Sequence, residues 1–119
     1  MATRVLIIDD SRPFTSAVRL RFGEDPDLQI ATANSVEAGL AYLRKAEVDL
    51  ILLDTDLADG EKGPDHIDRF AGQRVLGMSA MSENRDLWHD AIRQGKVIGF
   101  IHKTRIMEYL EGCRADDLV

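Results

Sequence analysis

Two short stretches of this chain are apolar at every position. Val5-Leu6-Ile7-Ile8 lies near the N-terminus, and Leu50-Ile51-Leu52-Leu53 lies near the middle. A strand with one wet face alternates apolar and polar residues. An unbroken run therefore predicts a strand covered on both faces, as in a parallel sheet. Leu28 to Thr32, Val75 to Met78 and Val97 to Ile101 are weaker strand candidates. Gly77 and Gly99 interrupt the last two.

Helical patterns fill the gaps. Ser11 is placed to cap a helix that carries Pro13 in its first turn and Phe14, Ala17, Val18 and Phe22 on one face. Asn34 and Glu37 form an N-cap-like pair ahead of Val36, Leu40 and Leu43. Pro64 suits the first turn of a short third helix ending near Gly72. Leu87, Trp88, Ala91 and Ile92 mark a fourth helix, closed by Gly95. Thr104 is placed to cap a fifth, with Ile106 and Leu110 facing inward. Five βα units in succession predict a doubly wound α/β fold, because right-handed crossovers put helices on both faces of the sheet. No repeat, low-complexity stretch or linker breaks the pattern, so residues 1–119 read as one domain.

Composition narrows the class. The chain is 45% hydrophobic and 30% charged, as ordinary globular proteins are. Its 21 acidic residues outnumber 15 Lys plus Arg, for a net charge of −6. That balance argues against nucleic-acid binding by the domain as a whole. A single cysteine, Cys113, excludes an internal disulfide, fits a reducing compartment and reads as a half-buried residue near a helix end. No stretch reaches membrane-spanning length, and the first apolar run stops at two aspartates, unlike a signal peptide. The expected setting is cytoplasmic, with no membrane partner.

In open parallel sheets, ligands bind beyond the carboxyl ends of the strands. Here those ends carry Asp9-Asp10, Asp54, Ser79-Ala80 and Lys103. Each alone is ordinary: an aspartate starts a turn, a serine caps a helix, a lysine sits in solvent. Together they describe an acidic pocket with one hydroxyl and one ammonium. Three close carboxylates must gain protons or a cation, and Mg2+ suits an all-oxygen site. A carboxylate in such a pocket can attack phosphorus to form an acyl phosphate. That transfer needs mainly positioning and charge neutralisation, to which Lys103 and Ser79 would contribute.

Over roughly its full length the chain resembles a response-regulator receiver domain of two-component signalling. The resemblance rests on Asp9-Asp10, on Asp54 after Leu50-Ile51-Leu52-Leu53, on Ser79-Ala80, on Lys103, and on Phe100 three residues before Lys103. It implies a flavodoxin-like (βα)5 sheet of strand order 2-1-3-4-5. It implies Asp54 as phosphoacceptor, Asp10 as a direct Mg2+ ligand and Asp9 as one acting through water. Asp54 itself and the main-chain carbonyl of Asp56 complete the implied metal set. Ser79, Lys103 and the Ala80 N–H would hold the phosphoryl group. The donor would be a phosphohistidine on a sensor kinase or phosphotransfer protein. Ser79 would then move inward and Phe100 rotate into the vacated space. This would reshape the face of the fourth helix, fifth strand and fifth helix for a downstream effector. The product is a signalling switch rather than an enzyme, although it would catalyse its own phosphorylation and dephosphorylation. Monomer and homodimer both stay open, as do a stand-alone regulator and the N-terminal piece of a longer protein.

Several positions depart from the family pattern. Ala58 and Thr104 stand where proline is common, the loop from Asp59 to Gly63 is about one residue long by spacing, and Gly95 to Phe100 is slightly stretched. They leave a second reading open, a binding module that is never phosphorylated. A third reading starts from Asp54-Thr55-Asp56, which resembles the first motif of haloacid-dehalogenase-like phosphatases. That family places its nucleophile motif first and its paired aspartates last, the reverse of the order here. Trp88 and Tyr109 are either partner-binding anchors or core residues. His66, His89 and His102 lack metal-ligand spacing, and His102 is expected to point away from Lys103. Asp116-Asp117 reads as a solvated tail.

Overall fold

The computed structural model describes residues 2–113. The apolar runs become β1 (Thr3–Ile8), β2 (Leu28–Ala33), β3 (Leu50–Asp54), β4 (Val75–Ser79) and β5 (Gly99–His102). They form one five-stranded parallel sheet in the order β2-β1-β3-β4-β5. The doubly wound, flavodoxin-like arrangement expected from the sequence is therefore present. The chain steps outward from β1 to β2 and then crosses back to β3, so strand order reverses between β1 and β3. Ile8 pairs with Leu53, so Asp9 and Asp54 leave neighbouring strands at the same level. The strand register thus sets these two carboxylates side by side before any loop is considered.

Alternation along the strands divides the core in two. Val5 and Ile7 of β1, Leu50 and Leu52 of β3 and Met78 of β4 face one side. There they meet Val18 and Phe22 of α1 (Arg12–Phe22) and Ile106 and Leu110 of α4 (Ile106–Glu111). Leu6, Ile8, Ile51, Leu53 and Val75 face the other side, against Val36 of α2 (Val36–Leu43), Ile67, Phe70 and Trp88. Both faces are covered, which is why β1 and β3 could carry no polar residue within these runs. Among the described residues, no helix is long and apolar enough to cross a membrane.

The connections differ from expectation in instructive ways. Ser11 caps α1 as expected, its Oγ accepting from the Phe14 N–H, but Ala17 is exposed. The cap of α2 is Ser35, whose Oγ accepts from Ala38 N at 3.0 Å, rather than Asn34 with Glu37. Glu37 pairs instead with Arg69 across the helix boundary. The third connection is a 3-10 helix, Gly63–Phe70, with Pro64 in its first turn. The fourth is a 3-10 helix, Ser82–Trp88, running into the short α3 (His89–Arg93). No side chain caps the first turn of either 3-10 helix, which leaves the first N–H groups without the donor satisfaction that starts a regular α-helix. The last connection begins as a 3-10 turn, Lys103–Arg105, and is capped by His102 Nδ1 accepting from Thr104 N, not by Thr104. Val97 is buried but precedes β5, because the chain turns through Gly95 (φ 75°) and enters the strand only at Gly99.

Trp88 is a core residue, fully buried on the second face. It lies over Gly77, where a Cβ would sit 2.4 Å from the indole ring. The glycine that weakened β4 as a strand is thus the residue that admits the tryptophan. Tyr109 is partly buried against the first core, and Cys113 is fully rather than half buried. Asp116-Asp117 lie outside the described residues.

Candidate functional site

β1 delivers Asp9 and Asp10, and β3 ends on Asp54. Asp9 and Asp54 are only 3% and 4% exposed, whereas Asp10 is open to solvent. One carboxylate oxygen from each of the three lies within 4.8 Å of the others. Lys103, at the end of β5, reaches over this group. Its Nζ is 2.6 Å from Asp9 Oδ2 and 3.3 Å from Asp54 Oδ2, and it sits 4.9 Å from the centre of the Phe14 ring.

Each buried carboxylate has one oxygen tied to the backbone. Asp9 Oδ1 accepts from Ser11 N at 2.8 Å, and Asp54 Oδ1 accepts from Thr55 N at 2.9 Å. The second oxygens point into the shared space. Lys103 donates a hydrogen bond to Asp54 Oδ2. Against Asp9 Oδ2 it is close in distance but not aligned as a donor, so that buried oxygen has a counter-charge and no hydrogen bond. A buried acceptor left in this state is costly.

The electrostatics follow from burial. Desolvation, and then the charge of Asp9, push the Asp54 carboxyl up to about 7, against the opposing pull of Lys103 and the Thr55 N–H. Burial also works against charge on Lys103. The close carboxylate of Asp9 and the carboxylate of Asp54 outweigh it and hold the ammonium above its ordinary value. A single ammonium serving two buried carboxylates and a nearby third leaves the group short of positive charge. The donor set is oxygen only and includes the unaligned Oδ2 of Asp9. These residues fit a hard divalent cation such as Mg2+.

A second cluster flanks the first. Ser79 ends β4 and is buried. Its Oγ accepts from Met81 N at 2.9 Å and from Asn84 Nδ2 at 2.8 Å. Asn84 Nδ2 also reaches Asp56 Oδ2 at 2.9 Å, and Asp56 pairs with Lys62. An isolated antiparallel bridge between Asp56 and Lys62 closes the loop, which folds back through the left-handed pair Asp59 (φ 61°) and Gly60 (φ 76°). Ala58 lies at the start of that turn, after β3 has ended. Ala80 is exposed immediately after Ser79. Phe100 is half-buried against the second core, with the Arg85 guanidinium 5.2 Å from its ring. His102 engages Thr104 rather than the carboxylates.

The family model of the response regulator receiver domain matches residues 5–111. The chain belongs to that family. Solved structures agree on the fold of this receiver domain. A signal receiver domain of an HD domain-containing protein from Pseudomonas fluorescens Pf-5 superposes with a TM-score of 0.77 at 16% identity, covering 95% of this chain and 94% of that one. The N-terminal signal receiver domain of a two-component response regulator from Bacteroides fragilis gives 0.75 at 19%, covering 95% and 97%. The response regulator TrrA from Thermotoga maritima, in complex with Mg2+ and BeF, gives 0.71 at 18%, covering 93% and 98%. No curated protein matches the sequence closely.

The structure therefore brings Asp9, Asp10, Asp54 and Lys103 of the receiver domain into one group and places Ser79 at the end of the strand beside β3. Asp56 turns its side chain to Lys62 and Asn84, which leaves only its main chain for the metal role the resemblance implies. Two connections were not anticipated. Asn84, five residues beyond Ser79, bridges Ser79 and Asp56. Thr55 Oγ1 donates to Met78 O at 2.8 Å and accepts from Trp88 Nε1 at 2.7 Å, tying the residue after Asp54 to the second core. An amide within one turn of a strand end was the only sequence signal for the first. Nothing in the sequence pairs Thr55 with a tryptophan 33 positions away.

Proposed function

We propose that this receiver domain accepts a phosphoryl group on Asp54 from a phosphohistidine on a sensor kinase or phosphotransfer protein, and relays the change to a downstream effector. The observation that carries the reading is the state of Asp54. It is buried, has one oxygen fixed by the Thr55 N–H, and has the other beside Lys103 within the Asp9-Asp10 carboxylate group. Such a carboxylate is held in one orientation and is not spent on a permanent ion pair of its own.

Asp54 Oδ2 attacks phosphorus, a P–O bond forms and the P–N bond of the donor breaks. The electron pair of that bond, with a proton from solvent, restores neutral imidazole. Asp9, Asp10, Asp54 and the main-chain carbonyl of Asp56 would hold Mg2+, which when bound neutralises charge on the carboxylates and the phosphoryl oxygens. Lys103 moves its positive charge onto one phosphoryl oxygen, and the Ser79 hydroxyl and the Ala80 N–H donate to others. Hydrolysis reverses the modification: water attacks phosphorus, the P–O bond to Asp54 breaks, and the carboxylate, phosphate and a proton are released. The protein acts as a switch because both states are ground states with different packing. Ser79 moving toward the phosphoryl group frees space for Phe100. Met81, Leu87 and Ile98 are large apolar residues exposed by half or nearly so, and they lie on the connection between β4 and β5, which suits an output face. A phosphohistidine donor and a reduced buried thiol fit a cytoplasmic setting.

Intact-mass measurement after incubation with Mg2+ and acetyl phosphate tests this. One added phosphoryl group, absent in Asp54→Ala and in EDTA, is expected. No added mass in the unsubstituted protein would leave a binding module that keeps the fold without the chemistry. Multiple turnover of p-nitrophenyl phosphate would indicate a phosphatase.

A further inference from the structure

The Asn84 side chain has no part in the reaction described above, yet it occupies a position with few chemical alternatives. Its Nδ2 faces two acceptor atoms at once, Asp56 Oδ2 at 2.9 Å and Ser79 Oγ at 2.8 Å. A carboxylate oxygen can only accept from it, so the atom between them is the amide nitrogen and both of its protons are used. Ser79 Oγ already accepts from Met81 N at 2.9 Å. A hydroxyl has two lone pairs and one proton. With both lone pairs engaged, Ser79 retains only its proton for any further partner.

We propose that Asn84 is a positioning residue that makes Ser79 an obligate hydrogen-bond donor toward the phosphoryl group. The proposal rests on the phosphoacceptor reading of Asp54. Without Asn84, the Ser79 hydroxyl can rotate and present a lone pair, which repels a phosphoryl oxygen, for part of the time. Asn84 also couples Ser79 to Asp56 and through it to Lys62. The hydroxyl is thereby held in register with the loop whose main chain would contribute to the metal site. The residue lies in the 3-10 helix Ser82–Trp88 and is only half-buried, so its substitution should leave the core intact.

Beryllofluoride with Mg2+ serves as the phosphoryl mimic, and binding is read by titration of Trp88 fluorescence or by calorimetry on the full chain. Asn84→Ala is expected to weaken beryllofluoride binding roughly tenfold, the loss of one positioned hydrogen bond, with Mg2+ affinity changed by less than about twofold. Asn84→Asp keeps the shape but can only accept, so it captures the Ser79 proton and should weaken binding further than alanine does. Asn84→Gln retains an amide donor and should recover part of the loss. In a Ser79→Ala background the Asn84→Ala effect should vanish, because the residue acts through that hydroxyl. Equal binding by the Ala, Asp and unsubstituted proteins overturns the proposal. So does an Asn84 effect that persists without Ser79. Failure of the unsubstituted protein to bind beryllofluoride, with Asp54→Ala indistinguishable from it, would instead remove the phosphoacceptor reading and this proposal together.

Discussion

From β1 to α2 the chain builds two α-helices of 11 and 8 residues, each started by a serine whose hydroxyl caps the first turn. From β3 to Cys113 the longest described α-helix has six residues, and the connections after β3 and β4 begin as uncapped 3-10 turns. The strands of the two halves are equally buried, apart from the edges. What differs is the connection. The first half contributes Asp9 and Asp10, which the sheet register places. The second half contributes Phe100 within β5, and Asp54, Ser79 and Lys103, each of which leads into a 3-10 turn. Short 3-10 turns cost less to rearrange than capped α-helices. The difference teaches where this fold keeps its rigidity: the paired Asp9 and Asp10 ride on the regular half, and Asp54 and the residues expected to move ride on the irregular one.

The irregular half then depends on its anchors, and Trp88 is the largest. Trp88→Ala removes a fully buried ring over Gly77 and the hydrogen bond to Thr55. Urea unfolding should show a loss of about 3–5 kcal/mol. A cost no greater than that of a helix cap would mean the 3-10 segments do not lean on the core as described.

Asp54 comes next. Without metal, burial and then the charge of Asp9 push its carboxyl up to about 7 in the folded protein, from an ordinary value of 3.8. The folded state therefore binds the proton more tightly. Its contribution is fully present below about pH 4 and is lost as pH rises toward 7. Asp54→Asn mimics the protonated form. It should match the parent near pH 4 and exceed it by about 2 kcal/mol at pH 8, beneath a ceiling of about 4 kcal/mol for a shift of this size. A parent more stable than the variant at pH 8 without metal would show that the pocket is not short of positive charge.

The regular half should respond mildly. Ser11→Ala and Ser35→Ala each remove a cap worth about 1 kcal/mol, read as parallel shifts of the urea midpoint without change in beryllofluoride binding. Least of all, Arg93→Ala breaks an exposed pair with Asp90, whose two side chains are 68% and 76% exposed. The midpoint should not move measurably. A clear drop there would indicate that α3 needs its surface charges, and the contrast between the halves would sharpen.

Much of the architecture could be read before folding was considered. Unbroken apolar runs at Val5–Ile8 and Leu50–Leu53 announced two-sided burial, and five alternations announced the winding. The aspartates closing those runs are the carboxylates that the structure brings together. The misses share a cause. Ser35 instead of Asn34, His102 instead of Thr104, and the delayed start of β5 are shifts of one or two residues, decided by which backbone N–H a nearby side chain meets. Periodicity does not resolve that. The 3-10 winding of Gly63–Phe70 and Ser82–Trp88 was hidden for a related reason, since both windings keep apolar residues three or four apart.

The order of apolar and polar residues along the chain was enough to determine the layered α/β fold and the list of strand-end groups, because both depend on local alternation between water and core. Only the tertiary structure decided that Lys103 stands over both Asp9 and Asp54, that Trp88 holds Thr55, and that Asn84 takes up the last lone pair of Ser79. Those contacts join residues that the chain keeps apart or that separate turns must bring together. Their energies come from burial and hydrogen-bond direction, which exist only once the sheet is assembled.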